Sequence, residues 1–326
     1  MKKLCFLFFL FLIASEFGFA QIIVVAGTVA NEQKEPLRFA FLYDKQTQNA
    51  TYSDSLGRFK LKVSPASQIM ASCKGYVDAA FDVAGRANFD LVLKSDPSAA
   101  ANSSTKEMSL LQEAFKKSNF QAEGTTVTAF GAFPVFTNQK QTVGSRFLFN
   151  QWVHGYVIKT SGGIEQNSSL YFNYDKMTGD LYLTQNLNSA MVADKNVIKG
   201  FMLFSPGDQP FNFEMMTGIN TSLYCQVLSS GNKYKIYKLI KTKFIPSNYK
   251  TDGLTSTGNI YDEYADDYTY YIQNVTTTAF QPLSLRKKAI KEAFAADADK
   301  VTSFMASHNG KIDDDYLKSL GDTLNQ

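Results

Sequence analysis

The chain has 326 residues, is 44% hydrophobic, and carries 33 basic against 30 acidic side chains for a formal charge of +3. That length has room for about two domains, and so balanced a charge lays down no electrostatic footprint for a nucleic-acid partner. Two histidines and three cysteines leave little material for a disulfide scaffold or for histidine-dependent chemistry.

Residues 1–20 read as a secretory signal. Lys2 and Lys3 precede the apolar run from Leu4 to Ala14, and Gly18-Phe19-Ala20 supplies a small-residue cleavage site before Gln21. An apolar run this short falls below the roughly 20 residues that span a bilayer, so cleavage after Ala20 is expected rather than anchoring. Cys5 sits inside the run, and removal of Lys2, Lys3 and Glu16 leaves a mature chain of charge +2. The remaining Cys73 and Cys225 are expected to be buried, unpaired thiols.

From Ile22 onward short strands alternate with turns, at Ile22–Val29, Ala40–Tyr43, Thr51–Tyr52, Gly57–Val63, Gln68–Cys73, Val77–Asp82 and Asn88–Leu93. This spacing predicts a small β-sandwich over residues 21–94. Its clearest element is Asp54-x-x-Gly57-x-Phe59, a turn in which Gly57 takes a positive φ before Phe59, Leu61 and Val63 alternate with Lys60 and Lys62. Val25-Ala-Gly-Thr-Val-Ala, Glu35-Pro-Leu-Arg-Phe-Ala, Thr51-Tyr-Ser-Asp-Ser-Leu-Gly-Arg-Phe and Lys74-Gly-Tyr76 resemble, in order, the carboxypeptidase-regulatory-like family. The resemblance covers Val24 to Lys94 and implies a transthyretin-like sandwich of about seven strands, a module found in exported proteins of the Bacteroidetes and not known as a catalyst. Cys73 departs from the family pattern.

Residues 95–106 have the small, polar composition of a linker. Met108, Leu111, Ala114 and Phe115 recur at helical spacing, so a short amphipathic helix is expected over 106–118. Residues 107–326 then form a second, larger antiparallel β domain with C-terminal helices, as one large sheet or a partly closed barrel. Its expected strands lie at 147–150, 152–160, 164–174, 181–184, 198–204, 211–216, 223–228, 233–244 and 268–274. Gly144-Ser145, Asn150-Gln-Trp-Val-His-Gly155, Leu170-Tyr-Phe-Asn-Tyr174, Tyr224-Cys-Gln-Val-Leu228 and Asp262-Glu-Tyr264 resemble, in order, an uncharacterised second domain of such exported proteins. No activity is implied by that likeness. At the end, Ile290, Phe294, Ala298, Val301 and Met305 make an apolar helical stripe. Asp297 and Asp299 are placed to break this helix and cap its restart, and Asp313 to cap the next one, with Ile312 and Leu317 as a staple.

Catalytic chemistry is thinly supported. His154 and His308 each lack the short-spaced partner that zinc sites use, and no G-x-S-x-G elbow is present. His154, alternating with Trp152 and Tyr156, reads as a core or rim residue, and His308 as a helix end. Asp262, Glu263, Asp266 and Asp267, interleaved with tyrosines on what reads as a loop, could hold a cation or hydrolyse a glycoside, but lack the spacing and glycine of a calcium loop. A solvated charged turn is the plainer reading. On 233–244, alternation places Lys233, Lys235, Tyr237, Leu239, Lys241 and Lys243 on one face and Tyr234, Ile236, Ile240 and Phe244 on the other. The first face is a basic strip suited to an anionic glycan, a lipid headgroup or an acidic protein surface, although a lysine-bearing face is usually only solvated and protected from edge pairing. Asp54-Ser55-Leu56 and Asp322-Thr323-Leu324 also fit a short acceptor pattern for O-glycosylation. The reading favours a non-enzymatic exported envelope protein, a binding or assembly module with no cofactor and an envelope protein or glycan as partner. The alternative is a glycan-active hydrolase using the 262–267 carboxylates.

Overall fold

The computed structural model describes residues 22–96 and 142–326 apart from 168, 186–189, 217–222 and 252–253, together with the backbone of 115–116, 125–128 and 131–134. The expected signal segment and the linker beyond Asp96 lie outside the described residues. The protein is mainly β, with several sheets and three C-terminal helices. It divides into two compact units, Met1–Ser103 and Ser104–Gln326.

The first unit is a sandwich of two sheets. Strands β1 (Ile23–Asn31), β2 (Phe41–Asp44), β3 (Asn49–Tyr52), β4 (Arg58–Val63), β5 (Gln68–Ser72), β6 (Ala79–Asp82) and β7 (Asn88–Leu93) form sheets ordered β4-β1-β7 and β3-β2-β5-β6, with β1 and β7 parallel. Period-2 alternation turns Phe59, Leu61 and Val63 inward with Val25, Val29, Phe89 and Leu91, where they meet Leu42, Ile69 and Ala71 of the other sheet. Residues 95 and 96 still belong to this unit, since Ser95 bridges Tyr76 and the Asp96 amide donates to the Gly75 carbonyl at 2.9 Å. The Asp54 carboxylate closes the turn into β4. It accepts from the Leu56 and Arg58 amides at 2.9 and 2.8 Å and pairs with the Arg58 guanidinium. Gly57 has φ +71°, and a Cβ there would lie 2.5 Å from the Val29 carbonyl oxygen.

The second unit contains β8 (Phe115–Lys116), β9 (Thr125–Thr128), β10 (Gly131–Pro134), β11 (Thr142–Val143), β12 (Gly155–Lys159), β13 (Gly163–Glu165), β14 (Tyr171–Asp175), β15 (Asp180–Thr184), β16 (Met191–Ala193) and β17 (Ile198–Phe204). It continues with β18 (Pro210–Met215), β19 (Tyr224–Ser230), β20 (Tyr234–Ile245), β21 (Lys250–Thr251), β22 (Ser256–Thr257), β23 (Asp262–Asn274) and β24 (Phe280–Leu283). Helices α1 (Lys287–Ala293), α2 (Ala298–Ser307) and α3 (Asp314–Leu324) end the chain. A nine-stranded sheet runs β11-β23-β20-β19-β18-β17-β12-β13, with β24 also on β23, and is open rather than closed into a barrel. Of the helix expected over 106–118, only 115–116 are described, and they are a strand on β16. Residues 147–150 are bends with one bridge rather than a strand, and the run 164–174 is split between β13 and β14.

One registered row crosses the large sheet from Val157 through Phe201, Phe213, Gln226, Lys238 and Tyr270 to Leu283. Directly opposed residues share a face, so this row samples one side of the sheet. At the Val157 end a second sheet, β14-β15-β16-β8, covers it, and Phe172, Tyr174, Leu181 and Leu183 pack on Phe201, Phe213 and Tyr224. Tyr174 lies 5.0 Å from Phe213, ring centre to ring centre, and its hydroxyl donates to the Tyr224 carbonyl at 3.2 Å. At the other end the helices cover it, with Ile290, Phe294, Val301, Leu317 and Leu320 on Tyr234, Ile236, Tyr270 and Ile272. The helical stripe is thus buried except at Ala298, which is exposed. The first helix breaks at 294–297 as the aspartate spacing suggested, and the Tyr316 amide donates to the Asp313 carboxylate at 3.1 Å. Asn325 ties the chain end to β20, accepting from the Lys233 and Tyr234 amides and donating to the Tyr234 carbonyl at 3.0 Å.

Gly57→Ala is expected to destabilise the first unit by about 1–3 kcal/mol, the cost of a strained backbone position. Hydrogen exchange should then speed up in β1 and β4 and leave β17–β19 unchanged. Equal protection in β1 and β4 of both proteins would contradict the turn geometry.

Candidate functional site

The two residue groups singled out from sequence come together on one ribbon. β20 and β23 pair along twelve positions, from Tyr234↔Asn274 to Ile245↔Glu263. This corrects the reading of 262–267 as a loop, because Asp262, Glu263, Asp266 and Asp267 all lie in β23. The hydrophobic signal hid the strand: its outer half alternates acids with tyrosines rather than with apolar residues. Alternation sends Asp262 and Asp266 to one face and Glu263 and Asp267 to the other, with same-face carboxylates four residues, roughly 13 Å, apart along the strand. Among the described residues no group of three or more His, Cys, Asp or Glu side chains is gathered to hold a metal ion. Of the four, Asp266 and Asp262 are engaged with protein groups, Lys176 and the Ser247 amide among them.

Asp266 is a strut. Lys176, in the tight turn between β14 and β15, donates from Nζ to both Asp266 oxygens at 2.8 Å, while the Thr242 and Tyr268 hydroxyls also donate to the carboxylate. The Thr242 amide donates to the Lys176 carbonyl at 3.2 Å. Burial pushes the Asp266 carboxyl up, but the hydrogen bonds from Lys176 and Thr242 outweigh it and hold the group below its ordinary value. Beside Lys176, the buried Asp175 is paired with the buried Arg146 guanidinium and accepts from the Met177 amide at 2.9 Å. The Lys176 bonds to Asp266 and Thr242 fasten the β14–β15 hairpin to the β20–β23 ribbon. The strands expected at 164–174 and 181–184 flank this hairpin turn, but its charged lock has no local signal, since Lys176 and Asp266 are 90 residues apart.

The basic strip divides into three environments. Lys233 pairs with Asp297 at 3.0 Å, and the Tyr234 hydroxyl donates to the same carboxylate at 2.9 Å. Bonds from Lys233 and Tyr234 lower the Asp297 carboxyl, while burial and Asp297 push the Tyr234 phenol up to about 12. Lys235 donates to Glu214 at 2.9 Å, and Tyr237, only 3% exposed, donates to Glu214 and packs with Met216, Cys225 and Leu239. Tyr237 is thus a core residue and not the aromatic centre of a surface strip. Lys241 and Lys243 are exposed, but Asp267 lies directly opposite Lys241 and Ala265, between Asp267 and Glu263, opposite Lys243. On this face the two candidate groups balance one another's charge. The opposite face holds a lysine that the apolar reading passed over, Lys238, which pairs with Asp314 at 2.5 Å and lies 4.0 Å from the Tyr268 ring centre.

The histidines and thiols are also placed. His154 is half-buried with its ring 4.9 Å from Tyr171, and His308 follows α2 with its ring stacked on Phe304 at 4.0 Å. Cys225 is buried and Cys73 half-buried, and neither is in a disulfide. Burial pushes the Cys225 thiol up to about 12 and raises Cys73 as well. A groove between α1 and α2 is lined by Lys287, Lys288, Lys291, Thr302 and Met305, and its lysines are exposed. No protein-family model matches the chain, and no curated protein is significantly similar to it.

Lys241→Ser with Lys243→Ser should change stability by about 0.5 kcal/mol or less per site, whereas Lys235→Ser, which removes the ammonium paired with Glu214, should cost roughly 1–3 kcal/mol. Denaturant melts of the two variants check the division, and equal costs would contradict it. Because Asp266 is lowered on folding, its contribution is present above the unfolded carboxyl pKa and fades as pH falls through the folded one. An Asp266→Asn variant should therefore be less stable at neutral pH and lose less stability than wild type below about pH 4. Parallel acid limbs in the two proteins would exclude the Lys176–Asp266 strut. For the thiols, Cys225 should resist a thiol reagent at pH 8 until the chain is unfolded, and native reaction of Cys225 would contradict its burial.

Proposed function

We propose that the protein acts by binding, as a non-enzymatic exported component of the cell envelope. The observation that carries this reading is the use made of its ionisable side chains. Asp266 and Asp297 are held low by lysine and hydroxyl donors, whereas a general acid needs a carboxyl raised toward neutral pH. Same-face carboxylates of β23 are also farther apart than the roughly 5–10 Å that glycoside hydrolysis uses. Export is supported by the basic, apolar and small-residue order of residues 1–20. The two-sheet first unit, with its Asp54–Gly57 turn, supports the likeness to the carboxypeptidase-regulatory-like, transthyretin-like module. An envelope protein or glycan surface is the partner class this reading implies.

Incubated with isolated envelopes, the chain should be retained, and a Glu263→Gln/Asp267→Asn variant should be retained equally. Hydrolysis of a glycan panel by wild type that the variant loses would overturn the binding reading in favour of the hydrolase.

A further inference from the structure

The outer end of the β20–β23 ribbon is dressed for an apolar environment. Every described residue from Lys243 to Tyr261 is exposed. Seven of the fifteen exposed large hydrophobic side chains among the described residues fall between 244 and 268, so among those residues apolar exposure concentrates on this ribbon and its tip. At the tip are Tyr249, Leu254, Ile260 and Tyr261, with Leu254 97% exposed between β21 and β22. Behind them Phe244 and Ile245 occupy consecutive positions of β20 and so point to opposite faces.

We propose that this tip inserts into the interfacial region of a lipid bilayer. This deepens the envelope-binding reading and rests on it. Two features favour lipid over a folded partner. Apolar side chains leave the ribbon on both faces, so a flat protein surface could cover only one set, whereas lipid surrounds them all. The span 244–261 carries one lysine and one aspartate and no other charge, so its attraction comes from apolar area and tyrosine rather than from anionic headgroups. Lys243, Asp262 and Glu263 follow at the base, where charged groups would stay at the headgroup level.

The test places a reporter at the tip of the full chain. Leu254→Trp should be quenched by phosphatidylcholine vesicles with brominated acyl chains, and quenching should persist between 0.1 and 1 M salt. Trp152 in the otherwise wild-type chain should not be quenched. Adding Ile260→Asp to Leu254→Trp should raise the lipid concentration needed by roughly tenfold or more, with an unchanged melt because both sites are exposed. No quenching of Leu254→Trp, or quenching only by anionic vesicles and lost in salt, overturns insertion. A dimer in solution that Ile260→Asp dissociates overturns it too, by giving the tip to a second copy. If quenching fails while isolated envelopes still retain the chain, lipid insertion falls alone. If both fail, the binding reading falls with it.

Discussion

The large unit depends on one sheet face being buried by two different covers. Phe201 and Phe213 meet the four-stranded sheet, whereas Ile236 and Ile272 meet the helices, and the registered row between them passes through Gln226 and Lys238. Neither cover spans the whole face. At the seam the sheet therefore presents polar residues, and each needs a partner because burying an unpaired charge costs several kilocalories per mole. Lys238 with Asp314, and Lys176 with Asp266 and Thr242, supply those partners. Of the charged groups that looked like candidate chemistry, Asp266 thus arises where two apolar interfaces meet.

Much of the architecture was legible in the sequence because burial there follows a simple period. In β4, Phe59, Leu61 and Val63 are buried and Lys60 and Lys62 exposed. The helical stripe around Ile290 and Phe294 and the Asp313 cap follow the same logic at period 3.6. β23 was legible only from Tyr268 onward. Its outer half is set by twelve-position pairing with β20, a long-range interaction that overrides weak local propensity. Pairing explains the basic strip as well. Alternation put Lys235 and Tyr237 correctly on one face, but it carried no information that Glu214 and Cys225 lie on that face beside them.

With Lys176, Lys235, Lys238 and Asp266 committed to structure, the open resource of this ribbon is apolar. An isolated two-stranded ribbon is marginal in water, and this one is steadied at its base by Lys176, by β11 and by the Phe244–Tyr264 ring pair, 5.2 Å between centres. A rigid base and an exposed end are what a docking element requires.

The insertion proposed above puts envelope contact at that end of the ribbon. Hydrogen exchange of the chain with and without isolated envelopes tests it most directly. Insertion of the tip should slow exchange only at amides of 243–262, with β17–β19 and the helices unchanged. Protection of the α1–α2 groove or of the first unit, with 243–262 unaltered, would contradict it.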